Sequence, residues 1–222
     1  MENYKIIKVE KSIYESNNVE ADKVRERLKE EKTFLLNLMS SPGSGKTTTV
    51  IRTIEALKDK MEVGVIEADI DSYVDAEKVH QAGAKAIQLQ TDGMCHIDAV
   101  ISRDGLDSLG SKDLDFVIIE NIGNLVCPAS YDLGAVKNAM ILSVPEGDDK
   151  PLKYPKMFAN VDALIINKID TMEFFDFDLE AVKKKVTEMN PNIVVFEISA
   201  KTGQGIDKWA SWLNENINKW NN

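Results

Sequence analysis

The sequence is poor in the residues that mark several specialised classes of protein. Its 222 residues include two cysteines, two histidines and 7% aromatic residues. A disulfide-rich scaffold is therefore excluded, and Cys95 and Cys127, which lie far apart in the chain, are predicted to be free thiols or metal ligands. No apolar run approaches the ~20 residues that a transmembrane helix needs. Residues 1–11 alternate charged and apolar side chains and lack the apolar core of a signal peptide, so we expect a cytoplasmic protein.

Positive charge is also scarce. Lysine and arginine number 27 against 37 aspartates and glutamates, which gives a formal net charge of −10. Because proteins that bind nucleic acid present a basic surface to its phosphates, we expect no nucleic-acid partner. The hydrophobic fraction of 43% and the charged fraction of 29% are those of an ordinary soluble globular protein that can bury a full core.

What the sequence does contain is a regular alternation of short apolar runs and amphipathic segments. Predicted strands lie at 34–39, 63–67, 85–89, 115–119, 138–144, 161–166 and 193–198, and predicted helices at 46–59, 73–82, 96–109, 151–158, 178–189 and 205–219. Continuous apolar runs such as Phe116–Ile119 are typical of a sheet covered on both faces. The pattern predicts an α/β fold with a mostly parallel sheet of about seven strands flanked by helices. Residues 1–33 are predicted to be an N-terminal extension with a short surface helix at 18–32.

The segment Ser40–Thr47, with the sequence SSPGSGKT, follows the first predicted strand and precedes the first predicted helix of this alternation. A strand, a glycine-rich turn and a helix in this order form a loop whose backbone amides surround phosphates. Lys46 is predicted to bind the β- and γ-phosphates and to act in catalysis, and Thr47 to bind Mg²⁺. Ser40 stands where the motif usually has glycine, and a small residue there still fits the turn. The predicted phosphate-binding residues are Gly43, Ser44, Gly45, Lys46, Thr47 and Thr48, and they make residues 34–222 a P-loop NTPase domain.

Two later segments resemble the base-recognition motifs of G proteins. Asn167-Lys168-Ile169-Asp170 follows a predicted strand, and the carboxylate of Asp170 can accept hydrogen bonds from N1–H and N2–H₂ of guanine, a pair that adenine lacks. Ser199-Ala200-Lys201 follows the last predicted strand and is similar to the segment whose backbone binds the guanine carbonyl oxygen. The resemblance predicts GTP rather than ATP. The predicted base-binding residues are Asn167, Lys168, Asp170, Ser199, Ala200 and Lys201.

Acidic residues follow two of the predicted strands and are candidates for binding Mg²⁺, which hydrolysis of the γ-phosphate requires. Asp69 follows one of these strands and Glu120 the other, and with Thr47 they are predicted magnesium ligands. Asp75 is either a further magnesium ligand and catalytic residue that orients the attacking water, or a helix cap. Gly123 lies where a backbone amide can contact the γ-phosphate.

Both cysteines of the chain also follow predicted strands. If those two strands end at the same edge of the sheet, the side chains of Cys95, His96 and Cys127 converge. Two thiolates and an imidazole suit Zn²⁺ or Ni²⁺, and a position near a helix start is expected to lower the pKa of Cys95. Water, Asp98 and a second subunit are alternative sources of a fourth ligand. From composition alone, buried structural cysteines are as well supported as a metal site.

The motifs, taken in order, resemble those of the hydrogenase nickel-insertion GTPases, the HypB family. The resemblance covers residues 34–205 and includes SSPGSGKT at 40–47, EADIDSYVDA at 67–76, GMCHIDA at 93–99, ENIGNLVCP at 120–128 and NKID at 167–170. It implies a G-protein-like P-loop fold of the SIMIBI class and a GTPase that helps to load nickel into [NiFe]-hydrogenase. It also implies that Cys95, His96 and Cys127 form a metal site at or near a subunit contact.

The same resemblance implies partners. It implies a homodimer that forms when GTP binds, a nickel-binding accessory protein and the hydrogenase large subunit. In such a dimer Lys153 is expected to reach the nucleotide of the second subunit. Residues 1–33 contain neither cysteine nor histidine, so the N-terminal nickel site or nickel store of some relatives is not expected here.

Three alternatives stay open at this point. The nearest is an accessory GTPase for urease, whose metal site is expected to centre on Cys-Pro-His, whereas here Cys127-Pro128 precedes Ala129. A second is a metal-binding or scaffold protein whose GTPase activity is incidental. A third is a P-loop kinase that passes phosphate from ATP to a small molecule, and Asp170 argues against it.

Overall fold

Seven parallel strands form a single sheet in the part of the chain that the structure describes. The structure, a computed structural model, describes residues 9–69, 74–91 and 93–222, with the side chains of residues 9–12, 69 and 74–76 outside the described part. The strands are β1 (Phe34–Ser40), β2 (Val63–Asp69), β3 (Lys85–Gln90), β4 (Phe116–Glu120), β5 (Lys137–Ser143), β6 (Ala163–Asn167) and β7 (Val194–Glu197). Their order across the sheet is β3-β2-β4-β1-β5-β6-β7. The predicted α/β fold with its parallel sheet is confirmed.

Helices connect the strands and cover both faces of the sheet. They are α1 (Val9–Glu31), α2 (Lys46–Leu57), α3 (Val74–Ala82), α4 (Ala99–Leu109), α5 (Lys150–Lys153), α6 (Pro155–Ala159), α7 (Leu179–Met189) and α8 (Ile206–Asn221). Within the described residues, none of these helices combines the length and the apolar composition that crossing a bilayer requires.

The side-chain alternation of β1 divides the core between the two faces of the sheet. Leu36 and Leu38 pack in one cluster with α2, α3 and α8, and Leu35 packs in another with α1 and α4. A third cluster lies where α6 and α7 cover β5 and β6. Every residue of β1 is buried, so the phosphate loop that follows Ser40 begins from the centre of the core.

The helix predicted at 18–32 is longer and more buried than expected. It is α1, which spans 23 residues, and its Ala21, Val24 and Leu28 are each at most 2% exposed. Charged residues between these positions gave the sequence the pattern of a surface helix, but the spacing of the three apolar residues directs them to one side. The domain boundary between residues 33 and 34 stays a prediction.

Two other predicted helices differ from the observed ones for local reasons. The helix expected at 96–109 begins at Ala99, because the Asp98 side chain accepts a hydrogen bond from the amide of Ile101 and caps the helix there. The helix expected at 151–158 is divided into α5 and α6. Pro155 disfavours helical backbone at Tyr154, which has φ −129° and ψ 52°.

Candidate functional site

The predicted site residues gather at the edge of the sheet where the parallel strands end. A cleft of about 550 Å³ lies there, lined by the phosphate loop, Glu120 and Gly123 among others. A Cβ atom on Gly123 would lie 2.9 Å from Cγ and 3.0 Å from N of Pro42, so the backbone after β4 packs directly on the phosphate loop. The loop predicted to contact the γ-phosphate is therefore already against the phosphate-binding segment.

Glycine is required at two points of the phosphate loop. Gly43 and Gly45 have φ of 74° and 96°, in the region that side chains of other residues disfavour. A Cβ atom on Gly45 would also lie 2.5 Å from Nδ2 of Asn167. Gly45 thus lets the phosphate loop turn into α2 and lets the base-recognition segment approach it closely.

Ser40, the departure from the usual motif, has a specific role that sequence analysis did not predict. Its buried hydroxyl donates to the carbonyl oxygen of Ser41 at 2.7 Å and accepts from Ser44 Oγ at 2.6 Å. It also accepts from Lys46 Nζ at 3.0 Å. A glycine here could make none of these bonds, so the Ser40 hydroxyl helps to position the lysine of the phosphate loop.

Asn167 joins the two predicted base-recognition segments to the phosphate loop. Its Nδ2 donates to the carbonyl oxygen of Ser44 at 2.9 Å, and its Oδ1 accepts from the amides of Lys168 at 2.8 Å and Ala200 at 3.0 Å. Lys168, which has a left-handed φ of 63°, donates through Nζ to the carbonyl oxygen of Gly43 at 2.7 Å. Three segments that are far apart in sequence therefore form one hydrogen-bonded unit, as their predicted roles require.

Asp170 lies in the turn after Lys168 and keeps acceptor capacity. Its Oδ1 is shielded from solvent and has no hydrogen-bond partner among the described residues.

The second predicted base-recognition segment is held by α2. Arg52 of that helix donates to the carbonyl oxygens of Ala200 at 3.0 Å and Lys201 at 3.2 Å. The Thr202 amide donates to Ser199 Oγ at 3.2 Å. The predicted base-recognition segments are thus held in place, while Oδ1 of Asp170 has no partner among the described residues.

Of the predicted magnesium ligands, Thr47 and Glu120 come together. The Thr47 hydroxyl donates to Oε1 of Glu120 at 3.0 Å. A hydroxyl and a carboxylate side by side are oxygen ligands of the kind that Mg²⁺ prefers, so these residues fit the ion. The side chains of Asp69 and Asp75 lie outside the described residues, and their predicted roles stay predictions.

Four polar residues that sequence analysis missed also line the cleft: Glu67, Lys78, Gln88 and Asn121. Glu67 is opposite Gln88 in the register of β2 with β3, and opposite Glu120 in the register of β2 with β4. Glu120, Glu67 and Gln88 therefore occupy neighbouring positions on β4, β2 and β3, in a row that leads from the predicted magnesium site toward β3. In the sequence, Glu67 and Asp69 are two positions apart, and the period of two expected for a strand was the available signal.

Cys95, His96 and Cys127 converge as predicted. Sγ of Cys95 lies 3.0 Å from Sγ of Cys127 and 3.5 Å from Nδ1 of His96, and the three ligand atoms lie within 4.8 Å of one another. Both cysteines are free thiols, with Cys95 exposed and Cys127 half-buried. Tetrahedral zinc with bonds of about 2.3 Å to sulfur separates two thiolates by about 3.7 Å. The group therefore fits a metal ion after a small opening of the two sulfur atoms.

One expectation about this group needs correction. The pKa of the Cys95 thiol is raised above its ordinary value, first because of its hydrogen bond with Cys127 and then because of desolvation and the negative charge of the Cys127 thiolate. The predicted lowering by a helix start is wrong because α4 begins only at Ala99. Asp98 uses one carboxylate oxygen to cap α4, and its role as an alternative fourth ligand stays a prediction.

Lys153 lies on α5 and is well exposed. Its Nζ pairs with Oδ2 of Asp149 at 2.5 Å, and this ion pair raises the pKa of Lys153 and lowers that of Asp149. It is not part of the lining of the cleft within one chain. Its predicted contact with a nucleotide needs a second subunit.

A family model described as CobW/HypB/UreG, nucleotide-binding domain, matches residues 34–197. The hydrogenase maturation factor HypB of Escherichia coli (strain K12) is 43% identical over 213 residues, which are 96% of this chain and 73% of that protein. The hydrogenase/urease maturation factor HypB of Helicobacter pylori (strain J99) is 40% identical over 215 residues, with 95% of this chain and 88% of that protein covered.

Solved structures are similar to this one in fold. HypB from Helicobacter pylori in complex with nickel matches with a TM-score of 0.86 at 40% identity and covers 92% of this chain and 96% of that one. The signal recognition particle 54 kDa protein from Aeropyrum pernix in complex with GDP has a TM-score of 0.56 at 16% identity, covering 84% and 49%, which is a likeness of fold alone. The predicted P-loop fold of the SIMIBI class is confirmed.

Proposed function

The chain belongs to the CobW/HypB/UreG family of nucleotide-binding domains, and within it to the HypB maturation factors, and from that membership we propose that it is a GTP-hydrolysing metallochaperone that assists nickel insertion into [NiFe]-hydrogenase. The observation that carries the proposal is the link between two sites. Glu120, at the end of β4, accepts from Thr47, and Cys127, which contacts Cys95, lies seven residues further along the segment that follows β4. A movement of Glu120 that depends on the bound nucleotide therefore reaches a metal ligand through only seven residues of backbone.

GTP is the proposed nucleotide. The amides of the phosphate loop and Lys46 bind its phosphates, and Asp170 accepts from guanine. The unpartnered Oδ1 of Asp170 supports this role, since a carboxylate with spare acceptor capacity is what N1–H and N2–H₂ need. Lys168, whose amino group already lies over the phosphate loop, is suited to cover the ring.

Hydrolysis is proposed to depend on Mg²⁺ held by Thr47 and Glu120, with Asp69 as a further ligand. When bound, the ion neutralises charge that develops on the β- and γ-phosphates. Lys46 then stabilises the same charge from the side of the phosphate loop. Asp75 is proposed to orient the attacking water or to bind the ion.

The metal cargo is proposed to bind at Cys95, His96 and Cys127. Thiolate and imidazole ligands suit Ni²⁺ and also Zn²⁺, so either ion can occupy the site. The nickel named for the structure from Helicobacter pylori supports nickel as the physiological choice. The exposure of Cys95 supports transfer, because a buried thiolate could not pass its ion to another protein.

The segment between Glu120 and Cys127 is proposed to couple the nucleotide site to the metal site. GTP and Mg²⁺ engage Glu120 and the backbone at Gly123, and this orders the segment that ends at Cys127. Hydrolysis removes the γ-phosphate and loosens the same segment, which favours release of the ion. By linkage, the metal must alter nucleotide affinity by the same factor.

Partners and location complete the proposal. The protein is proposed to form a homodimer when GTP binds, with Lys153 reaching the nucleotide of the second copy. Its exposure and its ion pair with Asp149, which is one helical turn away, support that mobility. A nickel-binding accessory protein and the hydrogenase large subunit are the proposed donor and recipient, in the cytoplasm.

The test is to measure Ni²⁺ affinity and GTP turnover of the full chain in both nucleotide states. With GDP or a non-hydrolysable GTP analogue bound, the wild-type dissociation constants for Ni²⁺ are expected to differ by about fivefold or more. Cys127→Ala is expected to weaken Ni²⁺ binding by more than about 100-fold, since losing even an outer-sphere partner of a metal ligand costs about 10- to 100-fold. Lys46→Ala is the matched variant at the other site, and it should remove the nucleotide dependence while Ni²⁺ still binds.

Unchanged Ni²⁺ affinity in Cys127→Ala, in both nucleotide states, contradicts the coupling. GTP turnover that is indifferent to Ni²⁺ and to a nickel-accepting protein favours instead a metal-binding protein with incidental GTPase activity.

A urease-directed accessory role is a second candidate, favoured by the hydrogenase/urease description of the Helicobacter pylori relative. Ala129 after Cys127-Pro128 argues against the urease-type metal motif. Nickel delivery to purified apo-urease, compared with delivery to the apo large subunit of a hydrogenase, separates the two.

A further inference from the structure

The two segments that carry the metal ligands come from strands that are not neighbours. The Cys95 connector (residues 93–98) follows β3, and the Cys127 connector (residues 121–136) follows β4, with β2 between them in the sheet. Strands two places apart are separated by about 10 Å. The sulfur atoms are nevertheless 3.0 Å apart, so both connectors must lean across the end of β2. A direct contact between them, from Asn124 Nδ2 to the carbonyl oxygen of Cys95, is long at 3.3 Å.

A carboxamide of α1 bridges the two connectors. Asn17 is 9% exposed. Its Nδ2 donates to the carbonyl oxygen of Asp132 in the Cys127 connector at 2.9 Å. Its Oδ1 accepts, also at 2.9 Å, from the amide of Ala99, the residue that directly follows the Cys95 connector. Only a side chain with a donor and an acceptor can make both bonds, so neither leucine nor a carboxylate replaces asparagine here.

A cluster of three aromatic rings, two of them stacked, makes a second connection. The ring of His96 lies on that of Tyr131, with centroids 3.9 Å apart and planes at 19°. Tyr131, in the Cys127 connector, contacts Tyr14 of α1 with centroids 5.2 Å apart. Because the stacked ring restricts the rotamers of His96, Tyr131 sets the direction of its nitrogen atoms.

A forked ion pair anchors the far end of the Cys127 connector to the same helix. Arg25 of α1 donates through Nη1 to Oδ1 of Asp132 at 2.9 Å and through Nη2 to Oδ2 at 2.7 Å. It also donates to the carbonyl oxygen of Ala135 at 3.3 Å. A bidentate pair fixes geometry as well as position. Helix α1 therefore holds the Cys127 connector at several points along its length.

We propose that α1 is a brace for the metal site and that Asn17 and Tyr131 are positioning residues for its ligands. The inference rests on the proposed metal site and adds residues outside it. Holding the ligands close before the ion arrives reduces the ordering that binding must otherwise supply. Without the brace, the two connectors relax toward the spacing of β3 and β4, and the ion must draw them together.

The experiment titrates the full-length chain with Ni²⁺ and, as a spectroscopic substitute, Co²⁺. Tyr131→Leu and Asn17→Leu are expected to raise the dissociation constant of either ion by about 10- to 100-fold, the range for partners that orient metal ligands. The Co²⁺ absorption bands are expected to shift in Tyr131→Leu because His96 changes its orientation. Tyr131→Phe keeps the ring and should restore both affinity and spectrum. Tyr154→Leu is the control for Tyr131→Leu, and Asn192→Leu is the control for Asn17→Leu. Each makes the same substitution at a position outside the two connectors and α1.

GTP affinity and far-ultraviolet circular dichroism are measured on every variant, and both should stay at wild-type values. If Asn17→Leu fails to fold, Tyr14→Leu removes the contact of α1 with the stack and carries the same expectation with a smaller effect. Wild-type affinity and an unchanged Co²⁺ spectrum in Tyr131→Leu overturn the brace while Cys127→Ala still tests the metal site. Absence of thiolate bands in the wild-type chain overturns the proposed metal site and the brace with it.

Discussion

The nucleotide end and the metal end of this molecule are both held together by an asparagine carboxamide, but in different ways. Asn167 joins Ser44 to Ala200 and belongs to the base-recognition motif itself. Asn17 joins Ala99 to Asp132 and belongs to a helix that contributes no ligand. The nucleotide loops therefore support one another, whereas the metal connectors depend on a third element. Sequence motifs therefore include the residues that support the nucleotide loops, but they do not include Asn17, which supports the metal connectors.

The two ends also differ in exposure. Ser44 and Asn167 are at most 1% exposed, while Cys95 is exposed and Cys127 half-buried. Buried hydrogen bonds make the nucleotide loops rigid, which suits discrimination between bases. The exposure of Cys95 suits the proposed receipt and transfer of an ion. We expect changes at the nucleotide end to be large and specific, and changes around the metal end to be graded.

The largest effect is expected from Asp170→Asn at the nucleotide end. An asparagine amide cannot accept both hydrogen bonds of guanine, so GTP affinity is expected to fall by about 100-fold or more. Xanthine has a carbonyl oxygen where guanine has its amino group, so affinity for xanthosine triphosphate should rise. Competition binding with the two nucleotides measures the ratio, and Ni²⁺ affinity without nucleotide should not change.

Asp176→Asn, at an exposed acid six residues further along, is the control for Asp170→Asn and should bind like the wild type. An unaltered ratio of the two nucleotides in Asp170→Asn means that this end does not recognise the base through Asp170.

An intermediate effect is expected from Gly123→Ala, where the two ends meet. The added methyl group meets Pro42 at 2.9–3.0 Å, so the connector must move away from the phosphate loop. Such overpacking costs about 1–3 kcal/mol of unfolding free energy, which a urea melt measures. The dependence of Ni²⁺ affinity on bound nucleotide should weaken as well. Val126→Ala on the same connector is the control, and equal nucleotide dependence in both variants argues that the signal does not pass through Gly123.

The smallest effect is expected from Asp132→Asn at the anchor of α1. Burial opposes ionisation of Asp132, but the hydrogen bonds from Arg25 and the Gly134 amide outweigh it and lower its pKa. A lowered pKa stabilises the fold above the unfolded value of about 3.9, and this stability is lost as the pH falls through the folded value. With solvent screening of the partly exposed pair, the loss in Asp132→Asn at pH 7 should be about 1 kcal/mol.

Urea melts of this variant at pH 7 and near pH 3 test the sign, since the difference from wild type should shrink at the lower pH. Asp22→Asn removes the other, more exposed partner of Arg25 and should have less effect. A difference that grows on acidification contradicts the lowered pKa.

The fold and the nucleotide end were largely predictable. Each predicted strand is present, and β1, β4 and β6 are almost wholly apolar because burial on both faces leaves little choice of residue. The predictions about helices that differ from the structure failed for two reasons, the first local and the second long-range. Pro155 divides a helix and Asp98 delays another, which turn chemistry could have indicated. The burial of α1 could not be read from its charged pattern, since its partners lie on α4 and β1.

By itself the sequence determined the phosphate loop and the parallel sheet, and it predicted the base-recognition segments that the sheet brings to that loop. These depend on adjacent residues and on backbone geometry, so their chemistry is local. Only the tertiary structure decided that Cys95 and Cys127 meet across the end of β2, and that Asn17 is within reach of both connectors. The bond from Asn17 to Asp132 spans 115 positions. Contacts of that range arise when packed surfaces meet, and no local pattern records them.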